Sequence, residues 1–95
     1  MDKTAKTKAP AVAIFYKTDD TVEEVSPANG RDFTLAEVQK LVGGYVELVR
    51  MPGKEYALAN EEGLMIGLPP NYNASQAVGM PLVGNVVVCR STMFK

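Results

Sequence analysis

The side chains able to do chemistry in this chain are few. Of 95 residues none is histidine, and Cys89 is the single cysteine. That removes Ser-His-Asp and Cys-His nucleophilic machinery, together with the imidazole ligands of most metal centres. Glutamates occur as two adjacent pairs, Glu23-Glu24 and Glu61-Glu62. Two carboxyl groups can divide general acid and general base roles. Neighbours in a strand, however, point to opposite faces, and Glu61-Glu62 falls where a turn leaves both in solvent. Neither pair belongs to the Asp/Asn ladder of a calcium loop. Cys89, set between valines and Arg90, reads as a small buried hydrophobe. The expectation is therefore no catalytic residue, no metal ligand and no cofactor.

What remains is amide and phenol chemistry. The stretch 60–74 gathers Asn60, Asn71, Tyr72 and Asn73 among glycines and prolines. Asparagines supply donors and acceptors, tyrosine supplies a ring for stacking, and loops held on a rigid scaffold often bind. These four are the candidate ligand- or partner-binding residues. The same residue types also shape turns, so scaffold and site stand as two readings of one segment. Gly43-Gly44 offers a phosphate cradle at first sight. Such cradles lie between a strand and a following helix, whereas here the helix comes first, and its C-terminal carbonyls repel an anion.

The elements that must position these groups are legible in outline. Thr34 and Glu37 have capping-box spacing, Phe33 and Val38 stand where a hydrophobic staple forms, and Leu35, Val38, Leu41 and Val42 recur at helical period. The spacing predicts a main helix over 34–42, ended by Gly43-Gly44. Residues 11–17 and 22–25 read as a hairpin around Asp19-Asp20. Residues 45–51 and 55–59 read as a second hairpin around Pro52-Gly53, which suits a type II turn. Leu64-Met65-Ile66 reads as a short further strand. Asn73 is placed to cap a short helix over 73–78. Val86-Val87-Val88-Cys89 is a continuous apolar run that fits a strand covered on both faces. The order predicts an α+β domain over 11–95, with a mainly antiparallel sheet of five to six short strands.

Charge divides the chain. Residues 1–10 carry Lys3, Lys6 and Lys8 against Asp2 and are expected to be a disordered basic tail. The remainder holds seven basic and ten acidic side chains, which argues against non-specific binding to nucleic acid. No apolar run has the length of a membrane span, and no secretory signal is visible, so a cytoplasmic protein is expected.

Several of these residues together resemble the family known only as domain of unknown function 3846, small proteins of phages and bacterial mobile elements. The resemblance rests on Phe33-Thr34-Leu35 with Glu37 and Leu41, and on Val42-Gly43-Gly44-Tyr45-Val46-Glu47. It continues through Asn60-Glu61-Glu62-Gly63, Leu68-Pro69 with Asn71 and Ala74, and Val83-Gly84-Asn85-Val86. A basic residue often follows the position of Asn71 in that family; here Tyr72 stands there, against anion binding. The resemblance implies a phage-type accessory protein and carries no activity with it. The functional expectation is a non-enzymatic module binding a host or phage protein. The alternative is a small-ligand binder for a nucleotide-like metabolite, with Tyr72 stacking and Asn60, Asn71 and Asn73 making polar contacts. Open edges of a small sheet can pair between chains, so a homodimer is also among the expected partners.

Overall fold

Thr34 opens the first helix in the way its spacing with Glu37 requires. In the computed structural model, which describes residues 11–94, helix α1 runs Leu35–Val42. The Glu37 amide donates to Thr34 Oγ1 (3.1 Å), and Glu37 Oε1 accepts from the Thr34 amide (2.7 Å). Phe33 and Val38 are both buried in one core cluster, as the staple demands. Gly43 ends α1 at φ 83°, the left-handed conformation that glycine enters without steric penalty.

Glu37 does more than cap its own helix. Its Oε2 also accepts the Ala28 amide at 2.8 Å, which ties the Pro27–Gly30 turn to the start of α1. The Thr34 and Ala28 amides hold its carboxyl below the ordinary value of 4.5. A lowered folded-state pKa means the ionised carboxylate stabilises the fold above that value. The contribution is lost as pH falls through the lower, folded one. Glu37→Gln is expected to reduce stability at neutral pH and to flatten the acid limb of the stability curve below about pH 5, as followed by urea midpoints across pH. An unchanged acid limb would overturn this assignment.

Among the described residues, five strands form one antiparallel sheet: β1 Ala13–Tyr16, β2 Val22–Val25, β3 Val46–Met51, β4 Glu55–Asn60 and β5 Val86–Arg90. Their spatial order is β2-β1-β5-β4-β3, so the apolar run ending in Cys89 lies at the centre with a strand on each side. The two hairpins form as expected, β1 with β2 and β3 with β4. Gly53, in the second, takes φ 78° as its turn requires.

Alternation sorts the apolar side chains to two faces. Ala13, Phe15, Leu58, Val87 and Cys89 join Phe33, Val38 and Val42 under α1, with Met93 from a terminal 3-10 turn. Ala57, Ala59 and Val86 face the other way, toward Ala74 and Leu82. The second face is covered by less: a short helix α2, Tyr72–Val78, and the segment 80–83.

The structure revises two expected elements. Leu64–Ile66 is not a strand. The Ile66 amide donates to the Glu62 carbonyl (3.0 Å) and the Leu68 amide to the Gly63 carbonyl (2.9 Å), so the run curls on itself and pairs with no edge. Helix α2 begins one turn position earlier than 73, capped by Asn71 and not by Asn73. The basic tail expected over 1–10 lies outside the described residues. Among those described, no helix is long and apolar enough to cross a membrane.

Candidate functional site

The asparagines of the 60–74 stretch are mostly internal. Asn71 is 1% exposed. Its Nδ2 donates to the carbonyls of Tyr16 (3.0 Å) and Gly84 (2.8 Å), and its Oδ1 accepts the Ala74 amide at 3.0 Å. The backbone of Asn71 is engaged as well, donating to the Leu82 carbonyl and accepting from the Ser75 amide and hydroxyl. Both donor hydrogens and the acceptor are used, so the side chain has little left to offer a ligand. Asn60 is also buried. Its Nδ2 donates to the Val42 carbonyl (3.3 Å), and its Oδ1 accepts the Glu62 amide (2.8 Å). Asn60 thus joins the end of β4 to the end of α1 and starts the turn that follows.

Tyr72 and Asn73 lie outside this internal network. Tyr72, the first residue of α2, is 70% exposed. Asn73 is half-buried, and its Nδ2 reaches the Asp20 carbonyl only at 3.5 Å. The four candidates therefore do not converge on one point. Two hold the loops together, one lies against the first hairpin, and one presents a ring to solvent.

The group that sequence reasoning placed elsewhere is apolar. Leu64 and Met65 are each 82% exposed and Ile66 is 58% exposed, three large hydrophobic side chains in succession. The turn 60–67 holds them up as a crest. Gly63 makes this possible: a Cβ there would meet Val83 Cγ2 at 2.8 Å, so only glycine lets the base of the turn sit this low on the 80–83 segment. The signal was present in the sequence. Three large apolar residues between two glycines, preceded by Glu61-Glu62, are too short and too bracketed for a paired strand.

Recesses flank the crest. One, of about 210 Å³, is lined by Leu64, Met80, Pro81, Leu82 and Val83, with Glu47 and Glu61 at its polar side. A trough of about 650 Å³ continues from it across the same 80–83 segment to Tyr72 and Gln76 on α2. On the opposite flank, Ile66 and Tyr45 border a further recess of about 280 Å³ with Glu62 and Gln39. The result is a broad, shallow, largely apolar surface, open to solvent and anchored by internal asparagines.

The remaining candidate chemistry is quiet. Cys89 is buried on the α1 face, and burial, with the Glu55 charge nearby, pushes its thiol up to about 11. It is a protonated packing residue at neutral pH. Glu23 pairs with Lys17 at 3.3 Å on the exposed first hairpin. Among the described residues, no three His, Cys, Asp or Glu side chains gather as metal ligands would.

Comparison with known proteins adds a family and no activity. Neither curated proteins nor solved structures yield a match. The family model described as domain of unknown function (DUF3846) matches residues 13–93, from the first residue of β1 to the last of the terminal 3-10 turn, and the chain belongs to that family.

Proposed function

We propose that this chain is a non-enzymatic protein-binding module, a cytoplasmic accessory protein of phage type that takes hold of a host or phage protein. The single observation that carries the reading is the crest Leu64-Met65-Ile66, with its three large side chains held in water on a turn closed by backbone hydrogen bonds. A contiguous exposed apolar surface is unfavourable for an isolated soluble domain and marks places where a partner covers it. Fully burying a Leu, Met or Ile side chain is worth about 1.5–3 kcal/mol, enough for a few such anchors to dominate an interface. The flanking recesses are sized for side chains and lie open, in keeping with a broad contact.

The small-ligand reading is supported less well. It depends on polar contacts from Asn60, Asn71 and Asn73, and the first two spend their amide groups inside the protein. The trough beside Tyr72 is wide enough for a ligand but lacks the enclosure that small-molecule sites provide.

The test compares capture by the wild type with capture by a Leu64→Ser/Met65→Ser variant. The side chains are exposed, so the variant is expected to keep the wild-type melting temperature within about 2 °C. Partner capture from lysate is expected to fall at least about tenfold. Undiminished capture by the folded variant would overturn the crest as the docking element.

A further inference from the structure

Resting on that reading, we infer that the crest and its flanking recesses receive a basic amphipathic segment of the partner, whose apolar side chains cover Leu64-Met65-Ile66 while its Lys and Arg side chains meet Glu47, Glu61 and Glu62. Carboxylates of one sign surround an apolar centre, which a basic amphipathic segment complements in both charge and hydrophobicity. Glu47 and Glu61 border the recess beside Leu64, and Glu62 borders the recess beside Ile66. Among the described residues, no Lys or Arg lines either recess. Lys40 lines a third recess, which Ile66 and Gly43 also border.

The backbone fixes where these carboxylates stand. Glu47 pairs with Ala59, so its side chain shares the sheet face on which the 80–83 segment lies. The Glu61 amide donates to the Tyr45 carbonyl (2.8 Å) and the Glu62 amide to Asn60 Oδ1 (2.8 Å), which pins both residues to the base of the crest. Among the described residues, none of the three carboxylates has an ion-pair partner within the chain. They form one sign of charge on two sides of the apolar centre, and like charges in proximity select against an acidic partner.

These carboxylates also disfavour a second copy of this chain on the crest. A twofold interface brings one patch against itself, so Glu47, Glu61 and Glu62 would meet their own counterparts. A basic segment turns that repulsion into attraction and gains an association rate that depends on salt.

The experiment is selection of a random peptide library on the immobilised full chain, with the Leu64→Ser/Met65→Ser variant as counter-selection. Enriched peptides are expected to combine spaced apolar residues with an excess of Lys and Arg. A selected peptide is then titrated against wild type and against Glu47→Gln/Glu61→Gln/Glu62→Gln. The neutralised variant is expected to lose about tenfold in affinity at low salt, the combined effect of three exposed ion pairs, and most of its salt dependence. Crest-dependent peptides without a basic excess, or affinity unchanged in the neutralised variant, would overturn the basic partner while leaving the protein-binding reading standing. Absence of any crest-dependent peptide, or crest-dependent self-association of the wild type in sedimentation, would overturn it too. Failure of lysate capture to depend on the crest would remove the underlying reading itself.

Discussion

Replacing Asn71 by alanine is expected to cost about 3 kcal/mol of the roughly 5–15 kcal/mol that stabilise a domain of this size. The sum has two parts. Losing the Oδ1 acceptor uncaps α2 and frees the Ala74 amide, at about 1 kcal/mol. Losing Nδ2 leaves the Tyr16 and Gly84 carbonyls without their shared donor in a site that water does not reach freely, at about 1 kcal/mol or more each. Asn71→Asp is expected to be worse at neutral pH. It keeps the cap acceptor but turns a carboxylate oxygen toward two carbonyl oxygens. The introduced carboxyl should therefore titrate above the ordinary aspartate range, and its protonated form can donate to one of the two carbonyls. Stability that depends on the protonated form is present at low pH and lost as pH rises through the raised, folded-state value. Urea unfolding should thus show Asn71→Asp partly recovering between about pH 7 and pH 4, where Asn71→Ala does not. A cost below about 1 kcal/mol for both variants would refute the role assigned to this side chain.

Why this residue reads as a site in sequence and as scaffold in structure is instructive. Asn71-Tyr72-Asn73 offers two cap candidates two residues apart, and local chemistry does not distinguish them. The choice is made by carbonyls far away in the chain, Tyr16 on β1 and Gly84 before β5, which Asn71 alone reaches. Where signals are local, the fold is legible: the capping box of Thr34 and Glu37, the left-handed Gly43, both hairpins, and the doubly covered β5 all follow from short-range patterns. The strand order β2-β1-β5-β4-β3 is a matter of which edges meet after long connections, and no short window encodes it. The crest fails for the opposite reason. Leu64-Met65-Ile66 is an apolar run of which only Ile66 is β-branched, and local hydrogen bonds close the chain on Glu62 and Gly63 before any strand partner is available.

The structure therefore separates two roles that the sequence blends. Internal asparagines tie loops 60–71 to β1, β4 and α1, and apolar side chains on the same loops face solvent. A loop that presents hydrophobic residues to water would collapse over them unless its backbone were held. The amide network supplies that hold, which makes the asparagines positioning residues for the exposed side chains of Leu64, Met65 and Ile66.

Asn60 and Gly44 provide the sharpest test of that separation. Asn60→Ala is expected to cost about 2 kcal/mol, since the Val42 carbonyl and the Glu62 amide both lose a partner. Gly44→Ala is expected to destabilise as well, for a reason independent of backbone conformation. Gly44 is not among the positive-φ glycines, yet a Cβ there would stand 2.8 Å from Asn60 Nδ2, which the Val42 carbonyl holds in place. The two effects cannot add. Once Asn60 is alanine, the space beside Gly44 is vacant and the new methyl group fills it. The double variant should be no less stable than Asn60→Ala alone, with a coupling of about 1–2 kcal/mol in a double-mutant cycle measured by urea unfolding. Additive losses would show that Asn60 does not pack as described. The same variants also read out the surface: Asn60→Ala frees the base of the turn, so binding through Leu64-Met65-Ile66 should weaken although the crest side chains are unchanged. Gly44→Ala in that background refills the space without restoring the bond to Glu62, so stability should rise while binding stays weak. That divergence is what a positioning role requires and what a simple loss of folding would not produce.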